Sequence, residues 1–67
     1  MTRNDRTELA NALRLQHAMP DMATRMLCTL IRSARTAADR QTYIDAIMAN
    51  KQLLARCSIV NGTWITD

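Results

Sequence analysis

The chain contains no phenylalanine, one glycine, one proline and one histidine in 67 residues, with two cysteines and two aromatic rings, Tyr43 and Trp64. Each scarcity removes a class of protein. A single glycine, Gly62, leaves no glycine-rich loop to cradle a phosphate. One histidine and two cysteines offer no Cys-x-x-Cys or His-x-x-x-His spacing, so His17, Cys28 and Cys57 make a poor metal set. No metal or cofactor is expected. No stretch approaches the roughly 20 apolar residues of a membrane span, and the opening "MTRNDRTE" is polar where a signal peptide would turn apolar. A cytoplasmic setting is therefore expected, with reduced, structural thiols, and a Cys28–Cys57 disulfide as the lesser alternative.

The residues that are abundant are aliphatic. With so few aromatics and turn formers, they suit helices packed on one another better than an aromatic-rich sheet. A chain of this length forms one domain, residues 1–67, and buries only about 60% of the surface it exposes when unfolded. So thin a core favours an added partner, and self-association is the simplest.

Caps and periodicity divide the chain into three helices, at about 5–18, 20–34 and 37–58. Asp5 with Glu8 has capping-box spacing, and Leu9, Ala12, Leu13 and Gln16 then recur on one face. Pro20 at a first helical position, with Asp21 beside it, opens the second helix. There Met22, Ala23, Met26, Leu27, Leu30, Ile31 and Ala34 fill one half of the circumference, opposite Arg25 and Arg32, while Cys28 falls outside the apolar half. Thr36 with Asp39 caps the third helix, whose inner face takes Tyr43, Ile44, Ile47, Met48, Leu54 and Ala55. Lys51 falls awkwardly within that apolar arc, and Leu53 opposite it. The tail "CSIVNGTWITD" admits two forms. It reads either as a hairpin turning at Asn61-Gly62 or, the form favoured here, as a longer third helix that stops before Gly62.

Little of this composition points to catalysis. Asp5, Glu8, Asp21 and Asp39 all fall in first helical turns, where carboxylates accept backbone N–H groups. Asp45 and Asp67 have no evident partner for acid–base work. The expectation is a protein that is not an enzyme. Eight of the nine cations are arginines, which fork onto phosphates and guanine. Arg25, Arg32, Arg35 and Arg40 are thus candidate nucleic-acid contacts, although the turn glycine common in helix-turn-helix units and any stacking platform are missing.

More apolar positions exist than one three-helix core needs. Leu15, Met19, Met22 and Met26, around the corner "HAMPDMATRML", and Leu53 are candidate protein contacts, since methionine adapts to a partner's helix. A protein partner is the favoured expectation, a second copy included, with DNA as the alternative.

The run "RTELANALRLQHAMPDMATRMLCTLIRSARTAADRQTYIDAIMANKQLL" resembles, in general texture over most of the chain, the small early proteins encoded between the exonuclease and excisionase genes of lambdoid bacteriophages. That resemblance implies a non-enzymatic protein made early in infection in the cytoplasm of an enteric bacterium. It would influence host physiology or the choice between lysis and lysogeny by binding a host or phage protein. It brings no site residues with it.

Overall fold

A computed structural model describes residues 1–60 and 63–66, and the side chains of residues 1–57. The described chain is helical up to residue 54 and ends in a hairpin. Its helices are α1 (Arg3–Leu15), α2 (Pro20–Ser33), α3 (Ala37–Met48) and the short α4 (Lys51–Leu54).

α1 starts earlier than Asp5. Thr2 is the N-cap: its hydroxyl accepts the Asp5 N–H at 3.1 Å, and the Asp5 carboxylate accepts the Thr2 N–H at 3.1 Å. The capping box is thus Thr2–Asp5, not Asp5–Glu8, because a threonine three residues ahead of an acid satisfies both orphan donors first. The helix ends at Leu15, whose carbonyl accepts the Met19 N–H at 2.7 Å. Residues 16–18 form a turn, and Pro20 restarts the helix in the first position, where its missing N–H costs nothing.

α2 is the pillar of the fold. It packs against α1, α3, α4 and the second strand, and it buries Ala23, Thr24, Leu27, Cys28, Leu30 and Ile31. Because α4 and the hairpin cover a flank of α2 as well, Cys28 is only 3% exposed rather than lying outside the buried half. The buried hydroxyl of Thr24 donates to the Pro20 carbonyl at 2.8 Å. Thr36 caps α3 as expected, accepting the Asp39 N–H at 3.1 Å, and Tyr43 and Ile47 enter the core from it.

The third helix does not continue to 58. It breaks at Ala49–Asn50, where Asn50 takes extended backbone angles and its side-chain amide donates to the Ala46 carbonyl at 2.7 Å. Asparagine competes here for a helix carbonyl, as short amide side chains do when they interrupt a helix. The break resolves both anomalies of an unbroken helix: Lys51 is exposed in the first position of α4, and Leu53 is fully buried. It also leaves Ala55 exposed, and Met48, at the end of α3, is exposed as well instead of lying on an inner face.

After α4 the chain forms β1 (Cys57–Val60) and β2 (Thr63–Thr66), paired antiparallel with Cys57 opposite Thr66 and Val60 opposite Thr63. This is the hairpin reading, and the extended third helix is set aside. The Asn61-Gly62 turn lies outside the described residues. Because an isolated two-stranded hairpin is marginal in water, the packing of β2 on α2 is what holds it.

Candidate functional site: the methionine corner

At the corner where α1 hands over to α2, residues 16–18 are a turn and Pro20 fixes the new helix direction. α2 can bury only the side facing its neighbours, so Met22, on the first turn, falls outside it. Met19 and Met22 are each 46% exposed. Leu15 and Met26, half-buried, pack their inner ends on the core. Two open grooves flank this apolar strip. The first, about 560 Å³, is lined by Ala18, Met19, Pro20, Asp21, Met22 and Arg25. The second, about 380 Å³, is lined by Glu8, Asn11, Arg14, Leu15, Met22 and Met26. Met22 borders both, so it stands as the ridge between them.

The rims carry both signs of charge. Asp21 and Arg25 edge one groove, Glu8 and Arg14 the other. Asp21 also accepts from Arg56 Nε at 2.6 Å, and the same guanidinium donates to the Gln52 carbonyl at 2.6 Å. Deeper in, Gln52 donates to the Gln16 side-chain oxygen at 3.1 Å, fastening the end of α1 to α4. Polar bonds thus tie the end of α1 and the start of α2 to α4 and to Arg56 beyond it, while Met19 and Met22 stay accessible.

Four of the five apolar candidates are brought together: Leu15, Met19, Met22 and Met26. Leu53 is not among them, because the break at Asn50 turns it into the core with no exposed surface. Met48, 55% exposed, is a large surface hydrophobe that periodicity assigned to the interior. Its exposure follows from Tyr43 and Ile47, one turn apart, which set the buried face of α3.

The arginines are dispersed. Arg25, Arg32 and Arg35 are exposed and Arg40 is half-buried. Arg25 belongs to the rim of the methionine corner, and Arg35 lies near enough to Asp5 to favour its ionised form. The main cause of that carboxyl's lowered pKa is the Thr2 N–H, followed by the Thr2 hydroxyl. Most other acids also have structural work. Asp39 pairs with the Met1 ammonium at 3.1 Å, and Asp45 accepts from the Gln41 amide at 2.8 Å. His17 is exposed on the turn after α1. Among the described residues, no three His, Cys, Asp or Glu side chains are grouped to hold a metal ion, and no helix is long and apolar enough to cross a membrane.

Comparison of the chain with protein-family models, with curated proteins and with solved structures finds no match.

Proposed function

We propose that this protein is a non-catalytic binding module whose methionine corner docks onto protein, and that the occupant is a second copy of the chain. The observation that carries the reading is the contiguous strip Leu15, Met19, Met22 and Met26, flanked by grooves on both sides. Methionines in such a position adapt to an opposing helix, and a covered apolar patch is more soluble than an exposed one.

The rims favour a like surface. Each groove pairs one acid with one arginine, so a twofold axis through Met22 can set the arginines of one copy against the acids of the other. A polyanion would meet Glu8 and Asp21 as well as the arginines. The engagement of Asp5, Asp21, Asp39 and Asp45 in caps, ion pairs and hydrogen bonds supports the non-catalytic part of the reading. A dimeric binder would act as a regulator through contact with a host or phage protein, as the resemblance to phage early proteins implies, in the cytoplasm.

Sedimentation equilibrium of the purified chain tests this. The expected mass rises with concentration from 7.6 kDa toward twice that value. A monomer at every concentration contradicts it. Retention on duplex DNA is the other arm: its affinity would fall with salt by a log–log slope of about 0.9 per phosphate neutralised. Retention abolished by Arg25→Ala with Arg32→Ala, and indifferent to the methionines, would replace the protein-binding reading with a nucleic-acid one.

A further inference from the structure

We propose that Cys28 and Cys57 are a disulfide-forming pair, a site of reversible covalent modification that bolts the terminal hairpin to α2. Their sulfurs lie 3.9 Å apart although 29 residues separate them in the chain. A disulfide spans about 2.05 Å, so roughly 2 Å remains to be closed. Cys28 sits on the buried face of α2, 3% exposed. Cys57 is half-buried and is the first residue of β1.

The position of the pair gives the bond a consequence. β1 enters just after Arg56, which is already held to Asp21 at the start of α2. A covalent link one residue further on would fix that entry at a second point of the same helix. The hairpin has only two strands and depends on α2 for its stability, so this junction is where a cross-link has most to stabilise.

The reaction needs an oxidant, and a small-molecule disulfide such as oxidised glutathione supplies it. The Cys57 thiolate, the more accessible of the two, attacks one sulfur of that disulfide; its S–S bond breaks and one thiolate leaves. Cys28 then gives its proton to water and attacks the Cys57 sulfur, expelling the second thiolate. Two cysteine thiols lose two electrons and two protons, and the glutathione disulfide becomes two thiols. Burial pushes the Cys28 thiol up, an effect that its hydrogen bond with Cys57 and the charge of Arg32 only partly oppose. The closing step therefore accelerates as pH rises.

The experiment exposes the full chain to oxidised and reduced glutathione at a series of ratios, with intact-mass analysis and thermal unfolding of each product. The expected product is a monomeric-chain mass lower by two hydrogens, with a melting midpoint raised by at least about 10 °C over the reduced chain. Added thiol should restore the original mass and midpoint. Cys57→Ser, which alters only the half-buried partner, should show neither change. An oxidised product consisting only of chains linked to one another, or one that stops at the glutathione adduct, would overturn the proposal. So would an internal disulfide that leaves the midpoint unmoved.

Discussion

α2 and the stretch from α3 to α4 are of similar length and draw on the same aliphatic residues, yet they occupy the fold differently. α2 runs unbroken for 14 residues and buries six of them. The chain from Ala37 to Leu54 divides at Ala49–Asn50 and contributes Tyr43 and Ile47 from one piece and Leu53 from the other. The difference comes from what each segment must reach. α2 has neighbours on several sides, so one straight helix can bury a broad arc. α3 meets α2 along a narrow stripe, and continuing it would point Leu53 at water and Lys51 at the core. Asn50 supplies the break, since its side chain takes the Ala46 carbonyl and its backbone carbonyl accepts the Leu53 and Leu54 N–H groups at 2.9 and 3.1 Å. An aliphatic stripe therefore sets a helix's buried face only as far as the first residue that can end it.

The largest expected effect sets Leu27 against Leu53, one from each segment and both without exposed surface. Leu27→Ala and Leu53→Ala should each cost about 2–5 kcal/mol in urea unfolding, and Leu53→Lys should prevent folding. A Leu53→Ala cost under about 1 kcal/mol would mean that this residue faces outward and that α3 continues through Asn50. A smaller effect sharpens the same contrast. Asn50→Ala removes the bond to the Ala46 carbonyl, with an expected loss of about 1 kcal/mol. Far-ultraviolet circular dichroism should show no drop in helix, since alanine favours the straightened form.

The smallest effect contrasts the starts of α1 and α2. The first is closed by the Thr2–Asp5 box, the second by proline with no side-chain cap. The Asp5 carboxyl has a lowered pKa in the folded chain. Its stabilising contribution is therefore complete above the pKa of the unfolded chain and disappears as pH falls through the folded value. Nuclear magnetic resonance should show the first turn of α1 losing helical carbon shifts in acid to a greater extent than the first turn of α2, whose Asp21 bonds Arg56 and no backbone N–H. Asp5→Asn should reduce this acid response of the first turn of α1, leaving what the Asp39–Met1 ion pair contributes.

Much of the fold is legible from individual residues. Pro20 and the Thr36–Asp39 cap mark two helix starts unambiguously, because each satisfies a local geometric need without reference to the rest of the chain. The cap of α1 is misplaced by three residues, Asp5 for Thr2, because Thr2–Asp5 and Asp5–Glu8 both have box-like spacing. The break at Asn50 is harder to read, for asparagine is tolerated within helices and only the conflict between Lys51 and Leu53 signals it. Cys28 cannot be placed in the core from periodicity on α2 alone, since what packs on that flank is α4 and the hairpin, Cys57 included, far along the chain. The methionine corner is legible because the proline fixes the turn. Leu53 groups with it only if the third helix runs unbroken through Asn50.

The proposed division between a buried α2 face that folds the chain and an exposed methionine corner that would bind a second copy is tested most directly by one double variant, Met19→Asp with Met22→Asp. Both side chains are nearly half exposed, and Met19 is the N-cap of α2 with no side-chain bond of its own. At dilutions where the wild type is monomeric, the variant should therefore unfold in urea with a stability equal to the wild type or up to about 1 kcal/mol above it. At high concentration the wild type should sediment as a dimer and the variant as a folded monomer. A variant that still dimerises, or one that unfolds at dilutions where the wild type is a folded monomer, would contradict the account.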